Sequence, residues 1–295
     1  MEPSSLRDST KWRSPGGMRT SLGGYSMSPR EALLRVREVV ETSGDGRVRH
    51  SYYLEFHIRL QALELVAEYC QDRRVVDFGA SPFITSCALN FMGFEVIAVD
   101  FDPEEYRSIA ETCQVQAVRA DLERDRVPVG DEWTDCAIFS EVLEHINPYY
   151  VGHALSEISR VLRPGGILVL TTPNIASLFR RIRLLLGIQP QYRLHVHEYT
   201  KPEVEDLLGR HGFRVLRSFY SDVDDLTYVD AEAEEYLELG TYRRLLRLAL
   251  RRPTRLNILR LLAYPIVKAF PGLRMLIVVV AEKVSGAETI GVHRW

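Results

Sequence analysis

Between residues 73 and 220 the apolar residues switch repeatedly between two spacings. Consecutive apolar runs occur at RRVVDF (73–78), FEVIAVD (94–100), Val115–Arg119, TDCAIFS (134–140) and GILVLTT (166–172). Between them, at 82–92, 103–113 and on to Leu162, apolar positions recur every three or four residues. The runs read as short strands buried on both faces and the recurring segments as helices. This alternation predicts an α/β fold, a doubly wound, mostly parallel sheet joined by right-handed helical crossovers. A helix at 201–211, a strand at 213–220 and a final strand at 274–282 (RMLIVVVAE) extend the pattern.

The flanks read differently. Residues 1–27 are rich in Ser, Gly, Arg and Pro, lack an apolar face, and read as a flexible tail. Residues 28–72 read as N-terminal helices. Ser28 can cap, Pro29 suits the first helical position, and Glu31 sits where a capping-box carboxylate belongs. The Gly44-Asp45-Gly46 break ends that helix, and a second is expected over about 51–70. The main domain then spans 73–295, with a helical insertion or lid at 221–272. That insertion splits by charge: eight acidic residues and no basic one from Asp222 to Glu238, nine basic and no acidic one from Tyr242 to Met275.

A net charge of −3 and 46% hydrophobic residues exclude wholesale disorder and argue against a dedicated nucleic-acid binder. Cys70, Cys87, Cys113 and Cys136 contain no C-x-x-C pair. They are expected to form neither a zinc site nor a disulfide framework, and a cytoplasmic location is the default. No apolar stretch approaches the length of a spanning helix.

In such a sheet, ligands sit beyond the carboxyl ends of the strands, where strand order reverses. The expected strand ends carry Asp77-Phe78-Gly79-Ala80-Ser81, then Asp100, then Asp121-Leu122, then Ser140-Glu141. Any single one of these reads equally well as a helix cap or solvated carboxylate; four in succession point to a ligand. Only the first glycine of a dinucleotide G-x-G-x-x-G fingerprint is present, and no G-x-x-x-x-G-K-[ST] loop occurs. The pocket therefore suits a nucleoside without phosphates.

The segments VVDFGAS (75–81), VIAVD (96–100), ADL (120–122), FSEVLEHI (139–146), RVLRPGGILVLTTPN (160–174) and HVHEYT (195–200) resemble class I S-adenosylmethionine-dependent methyltransferases, with ubiquinone-biosynthesis O-methyltransferases the nearest branch. The likeness covers about 73–220 plus the last strand. It implies a Rossmann-like seven-stranded sheet whose last strand is antiparallel and inserted beside the 213–220 strand. It also implies S-adenosyl-L-methionine as cofactor. Asp77, Gly79, Ala80 and Ser81 would line its methionine side, and Asp100 would bind the ribose hydroxyls. Asp121 and Leu122 would meet the adenine, and Ser140 and Glu141 would flank the sulfonium. The family's first loop has glycines where this chain has Ser81 and Phe83. Ser81 can still offer its backbone, whereas Phe83 either narrows the site or opens the next helix differently.

The implied reaction is methyl transfer to a small-molecule, sugar or lipid-linked acceptor, with oxygen the preferred atom. The alternative is a methyltransferase-like module that binds without turnover. His145 is the first candidate base, against the reading of a structural histidine. His197, with His195, comes next. The two histidines could reach the acceptor site or, with Glu198, hold a metal; a loop clamp against the following helix is preferred to the metal, and no metal is expected. Segments 177–188 (SLFRRIRLLLGI) and 242–270 interleave leucine with arginine, which suits either a lid with solvated arginines or peripheral contact with an anionic membrane.

Overall fold

A computed structural model describes residues 27–70, 72–223, 237 and 242–284. Nearly all of the expected N-terminal tail and most of the acidic run at 222–238 lie outside the described residues. The chain opens with α1 (Pro29–Ser43), whose capping box forms as its sequence predicts: Ser28 and Glu31 satisfy each other's backbone amides, and Gly44 ends the helix in the left-handed region. The expected second helix is two. Asp45 accepts from the amides of Arg47 and Val48 and so starts α2 (Gly46–Leu54) early. After Glu55 the chain resumes as α3 (Phe56–Tyr69).

The alternating region then delivers β1 (Arg74–Phe78), α4 (Ile84–Met92), β2 (Glu95–Asp100), α5 (Arg107–Thr112), β3 (Gln116–Arg119), β4 (Thr134–Ser140), α6 (Val151–Val161), β5 (Leu162–Pro173), α7 (Leu178–Leu185), α8 (Lys201–Arg210) and β6 (Phe213–Ser221). Two further helices, α9 (Tyr242–Arg251) and α10 (Arg255–Ala269), precede β7 (Leu276–Lys283). The strands form one seven-stranded sheet in the order β3-β2-β1-β4-β5-β7-β6. Strand β7 runs antiparallel between β5 and β6, pairing Val279 with both Leu170 and Ser218.

Side chains alternate across the sheet, so each strand feeds two cores. Val75, Ala98, Ile138, Val169 and Val278 face α1, α3 and α4. Val76, Val99, Phe139, Leu170 and Val279 face α6 and α8. The N-terminal helices are thus part of the sheet's own core. Tyr52 is anchored there by its hydroxyl, which donates to the Leu33 carbonyl at 2.9 Å.

The cysteine expectation is overturned. Cys70, at the end of α3, is disulfide-bonded to Cys136 in β4, and Cys87 in α4 is bonded to Cys113 after α5. Sequence separation hid these pairs: folding brings their Cα atoms to 5.7 and 5.3 Å. The default of a reducing compartment loses its support with them. No helix among the described residues is long and apolar enough to cross a membrane.

Phe56 is fully buried, with its ring edge-on to Tyr52. Phe56→Ala is expected to lower the unfolding free energy by about 3–5 kcal/mol, read from urea denaturation. A loss within error of zero would show that the N-terminal helices are not part of the cooperative core.

Candidate active site

Strand β1 pairs with β2 on one side and β4 on the other, so the chain reverses its direction of crossover at β1. The loops after β1 and β4 part there. Gly79 makes the turn with φ +69°, and its amide donates to Val99 O at 2.8 Å. A Cβ at this position would lie 2.4 Å from Val142 Cγ2, so the loops can approach this closely only with glycine. Ala80 also donates to Val99 O, and the Ser81 amide donates to Asp100 Oδ2 at 2.9 Å.

Phe83 does not narrow the site. Its side chain is wholly buried and its backbone opens α4 from the left-handed region, with its amide on the Ala80 carbonyl. Of the two expected consequences of losing the family's glycines, the structure shows the second.

Two cavities meet at this edge. One, of about 500 Å³, is lined by Asp100, Phe101, Asp121, Leu122 and Val142 among others. The second, of about 300 Å³, is lined by Asp77, Ala80, Ser140, Glu144 and His195, and by Ser51, Glu55, Ile58 and Arg59 from α2, α3 and the residue between them. Gly79, Ser81, Glu141 and His145 line both. The structure therefore brings together every residue expected at the cofactor site. His197 lines neither cavity; its ring packs edge-on against Tyr199, and His195 occupies the position facing the cleft.

Two carboxyl groups of the smaller cavity are shifted by burial. Asp77 is buried, and burial pushes its pKa up to about 7 although the Ser86 hydroxyl donates to it at 2.6 Å. Burial likewise raises Glu144 to about 7, against a hydroxyl bond from Thr172. Burial would also raise Glu198, but the bonds from His195 and Arg180 outweigh it and hold the carboxyl at about 2. Glu198 accepts from His195 Nδ1 at 2.7 Å, from Arg180 Nε and Nη2, and from the Tyr192 amide. Glu198 thus ties the loop to Arg180 of the preceding helix α7. The same loop is tied to the turn after β4, because the Glu144 carbonyl accepts from the amides of Val196 and His197. His145 stacks edge-on with His195 at 4.9 Å, and burial, followed by that neighbour, lowers its pKa.

Sequence reasoning missed Glu144 and the share of α2 and α3 in the second cavity. The E-V-L-E-H segment contained the former as a visible signal, since a carboxylate two residues past Val142 follows the same turn. The roof position of α2 and α3 had none.

The described helices of the insertion, α9 and α10, do not roof these cavities. Helices α9 and α10 pack against each other, and α10 runs into Pro271–Leu273 beside β6. None of their described residues lines either cavity. The described part of the acidic run supplies one pair to the basic helices, Lys268 to Asp222 at 3.3 Å.

A doubly wound sheet with a reversal at β1 gathers acidic residues from successive strand ends around one cleft, where folds of this kind bind ligands. Residues 76–170 match the family described as "Methyltransferase domain". A probable S-adenosylmethionine-dependent methyltransferase of Mycolicibacterium smegmatis is 27% identical over 58% of this chain and 62% of its own length. A malonyl-[acyl-carrier protein] O-methyltransferase of Pseudescherichia vulneris is 30% identical over 54% of this chain and 62% of its own length. The chain thus spans less than two thirds of these curated relatives. A SAM-dependent methyltransferase from Archaeoglobus fulgidus shares the fold, with a TM-score of 0.53 at 18% identity over 78% of this chain and 94% of that one.

Asp77 gives a pH test. Its folded pKa of about 7 lies above its ordinary 3.8, so the folded state holds the extra proton and stability falls as pH climbs between those values. Asp77→Asn should lose less stability than the wild type between about pH 5 and about pH 7, with Glu144 supplying the remaining slope. Urea unfolding at both pH values measures this; equal slopes would mean Asp77 ionises normally.

Proposed function

We propose that this chain transfers the methyl group of S-adenosyl-L-methionine to an oxygen of a small-molecule, sugar or lipid-linked acceptor. The observation that carries this is the convergence of four consecutive strand ends on two adjoining cavities. The larger holds the nucleoside: Asp100 accepts from the ribose hydroxyls, and Asp121 and Leu122 face the adenine. Asp100 already accepts from Ser81 and Asp102 amides, which orient its carboxylate while leaving lone pairs for the ribose. The waist at Gly79, Ser81 and Glu141 then places the sulfonium at the mouth of the smaller cavity, where the acceptor enters. Methyl transfer there is an in-line displacement, so the protein's task is to align donor and acceptor and to strip the acceptor's proton. The name of the Pseudescherichia relative, an O-methyltransferase, supports oxygen.

Calorimetry with S-adenosylhomocysteine is expected to show one site, and Asp100→Ala to weaken it at least tenfold, about 1.4 kcal/mol. Incubation with labelled S-adenosylmethionine and cell extract should label a small or lipid-linked product. Binding without labelling would favour the non-catalytic module; no binding would sink both.

A lipid-linked acceptor draws support from the surface. Helix α7 buries none of its residues, and Leu184, Leu185 and Leu186 are exposed beside Arg181 and Arg183. Helix α10 exposes Leu256, Leu259, Leu262 and Ile266. Both leave the same sheet edge, where Asn174 after β5 bonds to the Gly272 and Arg274 carbonyls. The protein should co-sediment with anionic vesicles and less with neutral ones, Leu185→Glu reducing recovery. Equal recovery in the supernatant with and without anionic lipid would remove this part of the proposal.

A further inference from the structure

We propose that the end of β6 carries a second subsite, which binds the oxyanion of a phosphate- or carboxylate-bearing acceptor. A separate cavity of about 400 Å³ lies there, lined by Gln61, Lys201, Arg217, Phe219, Tyr220 and Arg274 among others. It sits where β6 ends and β7 begins. Because β7 runs antiparallel to both of its neighbours, this is the same end of the sheet as the cofactor cleft.

Arg274 is the centre of the site. It is buried, yet no carboxylate among the described residues lies within ion-pair distance of its guanidinium. Nε donates to Val267 O at 3.2 Å and Nη1 to Tyr220 O at 2.8 Å, while Nη2 makes no hydrogen bond among the described residues. A cation taken out of water against neutral carbonyls alone is costly. An oxyanion beside Nη2 offsets that cost through charge-assisted bonds. Lys201 and Arg217 add to the positive field. Lys201 Nζ lies 2.6 Å from Glu205 and over the Tyr220 ring, and Arg217 lies 3.6 Å from Glu68 and over Phe219. The carboxylate that lines the cavity, Asp222, is already paired with Lys268 at 3.3 Å. Gln61 Oε1 is buried without a hydrogen-bond partner among the described residues, so the wall also holds an acceptor for a hydroxyl of the same ligand.

Helix α3 joins this cavity to the cleft. Ile58 lines the smaller cleft cavity and Gln61 lines this one. Three residues apart on one helix, their Cβ atoms are about 5–6 Å from each other. An acceptor anchored by its oxyanion at Arg274 therefore reaches the sulfonium end of the cleft along α3. The site then selects against neutral acceptors, which leave the buried guanidinium without a counter-charge. This use rests on the methyl-transfer reading; binding of the oxyanion does not. A phosphate and a carboxylate share the chemistry, and Phe219 and Tyr220 offer apolar surface to the carbon chain beside either.

The test titrates the full chain calorimetrically with hexyl phosphate, hexanoate and hexanol. One of the two anions is expected to bind at a single site at least tenfold more tightly than hexanol, about 1.4 kcal/mol, and the tighter one identifies the oxyanion. Arg274→Gln should abolish that preference. Arg274 also pins the turn before β7, so Lys201→Gln combined with Arg217→Gln, on partly exposed side chains, provides a second reading and should weaken the anion severalfold. Failure of both anions to outbind hexanol in the wild type overturns the site however the variants fold, as does unchanged anion binding in the double variant. Saturating S-adenosylhomocysteine should leave the anion's affinity unaltered; competition would put the anion in the cofactor cleft and overturn the subsite. The same preparation keeps the two readings apart: S-adenosylhomocysteine binding without anion preference rejects the subsite and spares methyl transfer, and anion preference without S-adenosylhomocysteine binding does the reverse.

Discussion

The double pairing of β1 is the constraint on which the site depends. Asp77 sits in register with Ala98 of β2 and Ile138 of β4. The chain must leave β1 toward one edge of the sheet and later return to its other side, and no loop can cover the gap between the two crossovers. What fills that gap is the approach of the first loop to the fourth. Gly79 lies against Val142 closely enough that any side chain would displace one of them. The positive φ of Gly79 and of Glu141 belongs to the same junction: both residues turn the chain away from the strand end so that the cleft stays open.

Much of this was legible because it is local. A strand buried on both faces must be apolar along its length, so FEVIAVD and TDCAIFS name themselves, and their polar last residues mark where burial stops. The helix start at Ser28-Pro29-Arg30-Glu31 is equally local, since all of its hydrogen bonds close within four residues. The features that escaped are those whose partners lie far along the chain. Cys70 meets Cys136 only once α3 has packed on β4. Glu198 reads as one carboxylate in a polar loop until Arg180, eighteen residues earlier, folds onto it. Phe83 looked like an obstruction because its type was visible while its rotation into the core was not.

The roof of the cleft shows the same limit from another side. An insertion rich in arginine and leucine just before the last strand invites the role of a lid. Yet the wall nearest the reacting end comes from α2 and α3, with Ile58 and Arg59 reaching the cavity while neighbours such as Phe56 and Leu63 fill the core. One helix thus serves packing with one face and the site with the other. The 192–198 loop closes the remaining side, because Glu198 fixes its shape from within. The exposed apolar faces of α7 and α10 are left with no such task inside the described molecule, which is why a surface is the natural place to look for their partner.

The distribution of charge around the cleft bears on where catalysis must originate. Carboxylates near a sulfonium stabilise the cation in the ground state and lose that attraction as the methyl group departs. On the proposed reading, Glu141 beside the sulfonium would favour binding of the donor more than its reaction. Rate acceleration has to come from the acceptor side, by generating an anionic oxygen in line with the methyl carbon. His145 would take such a proton beside a second imidazole and the buried carboxyl group of Glu144. The three are instead tied into the fold, His145 Nδ1 by the Leu194 carbonyl, His195 Nδ1 by Glu198, and the Glu144 carboxyl by the hydroxyl that Thr172 donates to it.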